Sequence, residues 1–269
     1  AGIVELSGAV KYSLQCADAM RIESVLLKHG TRNTACLSSQ VGCCFACIFC
    51  RTGELGFGRN LTASEMLDQF RVMRIGSQAA INNVVFMGMG EPLLNYDNLA
   101  LTLEMLSVPD GFNIGRRHVT ISTAGLPEMI ERLASDGFKV NLSLSINAPD
   151  DELRRRLMPS ARMHTIKRLL SAAEAYRSAT GSAVTLEYVM IRGVNDTYEC
   201  LEKMCLLSAG FKVNLIPLNR IKNSDLKPST EKRIDEWMAG FAEYGVRATV
   251  RRSLGGDLDA ACGQLGSRQ

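Results

Sequence analysis

Residues Thr34–Leu61 read TACLSSQVGCCFACIFCRTGELGFGRNL. Cys43, Cys47 and Cys50 stand in this stretch at C-x3-C-x2-C spacing, with the aromatic Phe49 directly before the last cysteine. Three thiolates on one tight loop can hold three corners of a metal centre. A structural zinc site takes a fourth protein ligand, and so does an ordinary four-cysteine iron–sulfur cluster. Here the fourth position is left open. Three buried thiols packing as small hydrophobes are the bland alternative, and a glycine-bounded loop with this spacing suits them poorly. Cys44, adjacent to Cys43, is expected to point elsewhere and pack, and Cys16, Cys200 and Cys205 read as core thiols.

The rest of the chain bounds what such a loop can serve. Its 269 residues make one large domain or two small ones. With 46% hydrophobic residues and a mean hydropathy of +0.02, it can bury a sizeable core. No apolar run approaches the ~20 residues of a membrane helix, and no basic region followed by an apolar stretch opens the chain. Nine cysteines are an odd and sparse set for a disulfide scaffold, and their clustering favours metal or redox chemistry in a reducing compartment. A cytoplasmic protein is expected, with an organelle as the alternative address. The net charge of +3 permits a nucleic-acid partner without demanding one. Three basic clusters, Arg116-Arg117-His118, Arg154-Arg155-Arg156 and Arg251-Arg252, read as solvated surface or RNA contacts.

Strand-like and helix-like segments alternate along the chain. VKYSLQ and RIESVLLK form a strand-rich lead-in over residues 1–33, divided by the polar turn Cys16-Ala17-Asp18, and a core runs over 34–269. Thr62 and Glu65 make a capping-box pattern, with Leu61 and Met66 as its staple. Strands are expected at 83–87, 118–122, 139–146, 184–191, 212–217 and 246–251. Between them helices are expected at 96–107, 126–136, 150–157, 165–179, 197–208 and 229–243. This βα alternation, free of a Pro/Gly-rich linker, predicts a parallel sheet in one domain.

Two strands carry polar residues at every second position. Buried parallel strands usually read as continuous apolar runs. Yet Asn141, Ser143, Ser145 and Asn147 alternate with Val140, Leu142, Leu144 and Ile146, and His118, Thr120 and Ser122 with Val119 and Ile121. Apolar residues under outer helices and polar ones facing a barrel interior account for this pattern. An antiparallel sheet with one wet face is the alternative. A polar interior calls for a polar occupant, since unpaired buried groups are costly. Met87–Pro92, MGMGEP, follows an apolar strand, and ligands in parallel α/β proteins gather at that end. A tight turn would explain it equally well.

Taken together, the triplet resembles the signature of radical S-adenosylmethionine (SAM) enzymes, whose [4Fe–4S] cluster leaves one iron free to chelate SAM. LSSQVGC before the triplet and TGELGFGRNLT after it are similar to the RlmN/Cfr group of RNA adenine methyltransferases. LMP (157–159), EYVMIRGVND (187–196), IPLN (216–219) and the C-terminal GGDLDAACGQL (255–265) fit the same pattern, so the resemblance covers nearly the whole chain. It implies a partial (β/α)6 TIM-like barrel with a short strand lead-in, and a cluster held by Cys43, Cys47 and Cys50. SAM would be bound by Gly90, Glu91, Ser122, Ser145, Ile146, Asn147 and Asn219, with Glu91 on its amino group. Cys262 matches the cysteine methylated during turnover, Cys36 its partner and Glu23 the general base; read alone, Glu23 is a half-exposed strand glutamate.

Adenine carbons C2 and C8 are not acidic enough to attack SAM directly. The resemblance implies that Cys262, as thiolate, takes a methyl group from a first SAM. A second SAM, cleaved at the reduced cluster, activates that methyl for addition to the base. Glu23 then removes the ring proton, and Cys36 attacks the Cys262 sulfur, leaving a disulfide that a reductant must reset. The expected substrate is ribosomal RNA, with transfer RNA as a further one. The expected partners are RNA and an electron donor such as flavodoxin or ferredoxin, and the expected state is a monomer. C2 is favoured over C8, and a cluster- or zinc-stabilised RNA-binding module is the reading from another class. Family members carry a helical accessory domain ahead of this core, so a fragment of a longer protein is expected. They also show His at the position of Asn147, and Ser or Ala at that of Arg51.

Overall fold

The computed structural model describes residues 2–6, 8–77, 80–221, 224–252, 254, 256 and 259–266. β1 (Gly2–Leu6), β2 (Ala9–Gln15), β3 (Arg21–His29) and β4 (Arg32–Cys36) run antiparallel. On its other edge β4 pairs in parallel with β7 (Asn83–Phe86). From there β8 (Val119–Thr123), β9 (Asn141–Ser145), β10 (Val184–Met190), β11 (Lys212–Pro217) and β12 (Ala248–Val250) continue the sheet in parallel. The ten strands follow chain order, and β12 does not pair with β1 among the described residues, so the barrel stays open. The expected α/β architecture of a partial barrel is present.

The chain returns between the parallel strands through α2 (Ala63–Gly76), α3 (Tyr96–Leu106), α4 (Pro127–Ser135), α6 (Ile166–Thr180), α7 (Tyr198–Leu207) and α8 (Glu231–Glu243). At the start of α2 the capping box is complete. Thr62 Oγ1 accepts from Glu65 N at 3.2 Å, Glu65 Oε2 accepts from Thr62 N at 2.9 Å, and Leu61 and Met66 are fully buried. Thr165, Thr197 and Thr230 cap α6, α7 and α8 by the hydroxyl bond alone, satisfying a helix-end N–H each.

Strand register sorts the side chains into an apolar outer face and a polar interior. Ile121, Leu142 and Val184 align across β8, β9 and β10, as do Tyr188 and Leu215, and all are buried in the main core. Trp237 of α8 stacks on Tyr188 with ring centroids 5.1 Å apart. On the other face Ser145, Glu187, Asn214 and Thr249 form one row across four strands. Thr120, Asn141 and Ser143 line an interior cavity of about 680 Å³, so the alternation marks an inward-facing polar set.

Several local expectations need correction. His118 closes an exposed 3₁₀ turn, Arg116–His118, instead of opening β8. β9 begins at Asn141, two residues later than expected. Cys44 is exposed and does not pack, while Cys16 is half-buried and packs against the edge of the core instead of within it. Arg154 is buried, not part of a solvated cluster. The reading also lacks β1, β4 and the hairpin of β5 (Gln40–Gly42) with β6 (Phe57–Asn60), which brackets the cysteine loop.

Candidate active site

The cysteine loop leaves the β5–β6 hairpin and is fastened at three points. Cys43 N donates to Gly56 O at 2.8 Å, Ile48 N to Leu157 O at 3.0 Å, and Arg51 N to Gly263 O at 2.7 Å. Cys50 then precedes the single turn α1 (Arg51–Glu54) without capping it. The thiols of Cys43, Cys47 and Cys50 line one cavity of about 180 Å³, on the side where β8 and β9 end. Burial pushes Cys43 up to about 12 and raises Cys47 and Cys50 as well. Charge on any of the three opposes charge on another, so holding all three as thiolates calls for a cation. Among the described residues no three Cys, His, Asp or Glu side chains converge enough for a single metal ion. Thiols ringing a cavity suit a polynuclear cluster better than a lone zinc.

Ser122, Ser145, Asn147, Asn219, Gly90 and Glu91 line the same cavity. The glycines of MGMGEP are required by packing: a Cβ on Gly90, at φ +98°, would meet Gln40 Cβ at 2.5 Å. Glu91 is buried and pushed up to about 7 by desolvation, against the hydrogen bonds it accepts from Ala124 N (2.8 Å) and Leu93 N (3.1 Å). It fixes the turn after β8, and its remaining lone pairs are what it offers a ligand. Asn147 sits at φ +59°, a conformation that Asn adopts more readily than most residues. Its Oδ1 accepts from Val189 N at 2.8 Å. Ile146 does not line the cavity; its side chain is in the core and its backbone N donates to Glu187 O at 3.1 Å.

The C-terminal segment folds back over this mouth. Asn219 Nδ2 donates to Cys262 O at 2.9 Å, Thr52 Oγ1 to Leu265 O at 2.7 Å, and Arg51 Nε to Gly266 O at 3.3 Å. Arg51 therefore docks this segment. Gly263, at φ +82°, admits no Cβ, which would meet Phe49 O at 2.9 Å. Gly255, Asp257 and Leu258 of the C-terminal motif lie outside the described residues.

Cys262 lines both cavities, while Cys36 lines the larger one with it. Both are free thiols. Burial, reinforced by charge on Cys262, pushes Cys36 up to about 12. Glu23 lines neither cavity. It is buried, with Oε2 3.0 Å from Lys11 Nζ and 2.7 Å from Gly266 N. Lys11 Nζ also donates to Asp259 O at 3.0 Å, so the pair pins both ends of the described segment.

Sequence reasoning missed Glu187 and set Arg251 in a surface basic cluster, whereas both, with Met87 and Cys262, line both cavities. Arg251 donates to Met87 Sδ at 3.1 Å, and charge on Cys262, Glu187 and Cys36 favours its cationic form. Glu187 Oε1 accepts from Ser143 Oγ (2.9 Å) and Asn214 Nδ2 (3.1 Å), while Oε2 has no hydrogen-bond partner among the described residues. A buried carboxylate oxygen left open toward a cavity awaits a polar ligand. The available signal was a charged residue in the middle of a buried parallel strand.

Comparison with known proteins agrees with this geometry. Residues 37–205 match the Radical SAM superfamily. The chain is 43% identical to the probable dual-specificity RNA methyltransferase RlmN of Thermotoga sp. (strain RQ2), over 98% of this chain and 77% of that protein. It is 40% identical to that of Lachnoclostridium phytofermentans, over 97% and 74%. A radical SAM methyltransferase from Sphaerobacter thermophilus superposes with a TM-score of 0.93 at 40% identity, over 98% of this chain and 80% of that one. The three-thiol cavity and its polar strand ends fit the cofactors of the superfamily, a [4Fe–4S] cluster and SAM. With Cys262 folded onto that cavity and this identity sustained along its length, the chain belongs to the RlmN family of radical SAM RNA methyltransferases.

Proposed function

We propose that the protein methylates adenine C2 in 23S ribosomal RNA, with transfer RNA as a second substrate. In this reading it uses two SAM in ping-pong order, with Cys262 as methyl carrier and Cys36 as resolving thiol. The observation that supports this most is the place of Cys262, shared by the three-thiol cavity and the interior cavity that Cys36 lines. When bound, cluster and SAM supply a methyl group for a thiolate and one-electron activation toward a carbon that ordinary displacement cannot reach. Cys43, Cys47 and Cys50 hold the cluster; Gly90, Glu91, Ser122, Ser145, Asn147 and Asn219 form the SAM surface, with Ile146 contributing backbone. Asn219 fixes the carbonyl of Cys262 and so aims its sulfur.

Cys262 first becomes a thioether, S-methylcysteine, and then joins the base through that carbon; this removes a hydrogen atom from the methyl group and a proton and an electron from adenine C2, of which Glu23 would take the proton and the bound cofactors the hydrogen atom and the electron. Cys36 sulfur attacks Cys262 sulfur, forming an S–S bond; the C–S electron pair passes to the departing carbon, which takes a proton and leaves as the new methyl group. Arg251 lowers the cost of the thiolate charge this exchange needs. Glu23 reaches the ring proton only when Gly266 and Lys11 let go, which couples deprotonation to movement of the C-terminal segment. The protein acts as a cytoplasmic monomer served by a flavodoxin- or ferredoxin-class donor.

Mass spectrometry tests the reading. Protein incubated with SAM, reductant and RNA should carry one extra methyl on Cys262 and yield 2-methyladenosine; 8-methyladenosine would instead assign the C8 reaction. Cys36→Ala should accumulate an RNA–protein adduct at Cys262, and Cys262→Ala should give neither product nor adduct. Wild-type methylation by Cys36→Ala, with no adduct, would overturn the two-cysteine mechanism.

A further inference from the structure

Arg154 is buried to 1% exposure on α5 (Asp151–Leu157), and nothing in the proposed chemistry uses it. Its Nε donates to Ile146 O at 3.2 Å, and its Nη2 to Ser145 O at 3.3 Å and to Ala124 O. All three acceptors are neutral carbonyls where β8 and β9 end, and among the described residues the guanidinium enters no ion pair. Burial draws it down only to about 10, so it is charged at neutral pH. Two of its three acceptors, Ala124 and Ser145, line the three-thiol cavity.

A buried cation without a counter-charge is costly, and proteins keep one where an anion completes it. Asp151 forms no ion pair with it among the described residues, and its Oδ1 is turned to Ile166 N, from which it accepts at 2.7 Å. The remaining candidate is the site Cys47 faces. The last carbonyl of α5, Leu157 O, accepts from Ile48 N inside the cysteine loop. One helix thus grips the loop at its end and the strand ends carrying the Ser122 and Ser145 surface at its middle.

We infer that Arg154 is the built-in counter-charge of the iron–sulfur cluster, a positioning residue that holds cluster loop and SAM surface in register and eases cluster reduction. A fixed cation favours the state carrying one more electron, and a dry setting strengthens that effect. Neutralising Arg154 should therefore make the cluster harder to reduce. A strap without an electrostatic role would leave the potential alone.

The test compares wild type, Arg154→Gln and Arg154→Lys after anaerobic reconstitution, reading iron content and the cluster midpoint by an EPR-monitored titration. Arg154→Gln should move to a more negative midpoint, and Arg154→Lys should stay close to wild type. A fully loaded Arg154→Gln protein with the wild-type midpoint overturns the inference, as does an Arg154→Lys shift as large as that of Gln. Should Arg154→Gln fail to load, loading by Arg154→Lys supports the charge role and failure of both overturns it. The inference rests on Cys43, Cys47 and Cys50 as the cluster ligands. Wild-type protein that takes up no iron would count against that assignment instead.

Discussion

At the scale of single residues, burial decides what each titratable group can do. Glu91 shows it: burial raises its carboxyl from 4.5 to about 7. The folded chain therefore prefers the protonated form more than the unfolded chain does. The resulting stability is fully present below pH 4.5 and is lost as pH rises through about 7, amounting to about 3 kcal/mol. Denaturant titrations of cluster-free protein at pH 5 and pH 8 should show this loss, and Glu91→Gln should remove most of it. A wild-type stability that is flat across this window would mean that the carboxyl is solvated. The cysteines make a second case. Cys44 is exposed while Cys43, Cys47 and Cys50 ring a cavity. Cys44→Ala should keep its full iron, and alanine at any of the other three should lose it. What the sequence told of these residues was spacing; which thiol faces the cavity depends on the turn at Ala46, with φ +49°, and that turn is invisible in composition.

At the scale of elements, periodicity was a good guide to the helices and outer strands and a poor one to the ends of the chain. Capping residues and the 3.6 and 2.0 periods place α2 to α8 and β7 to β12 within a few residues. The β5–β6 hairpin and the docked C-terminus escape that logic, because long-range hydrogen bonds hold them and no repeat announces such bonds. Glu23 and Lys11 stand 243 and 248 residues before their backbone partners Gly266 and Asp259. Removing this pin tests its importance. Lys11→Ala leaves Glu23 buried with a lost partner, and the C-terminal segment should open more often. Hydrogen exchange at the Gly266 and Arg51 amides should quicken about tenfold, the equivalent of one buried hydrogen bond of about 1.4 kcal/mol. Unchanged protection of both amides would show that Asn219, Thr52 and Arg51 suffice. The cap of α2 gives a local control: Thr62→Ala should cost about 1 kcal/mol of stability while leaving those amides alone.

At the scale of the whole molecule, the division into a lead-in over 1–33 and a core over 34–269 meets a sheet that runs through the boundary. β4 begins at Arg32 and ends at Cys36, antiparallel to β3 on one edge and parallel to β7 on the other. Ile22, Val25 and Leu26 of β3 are buried in the same core as Val84 and Ile121. Residue patterns could reveal a strand at 21–28; they could not reveal that its partner carries Cys36, because pairing is a long-range property. The lead-in strands should accordingly share the cooperative fate of the barrel. Under mildly denaturing conditions the amides of Ile22 to Leu26 should exchange with the same free energy and denaturant dependence as those of Ile121 and Leu142. Deleting residues 1–31 would strip β3 from β4, expose that apolar row and release the Lys11–Glu23 pin together, so the remainder should fail to reach the native circular dichroism signal. Lead-in amides that open at markedly lower denaturant, beside a barrel that stays protected, would make residues 1–33 a detachable extension and free Cys36 from any dependence on β3.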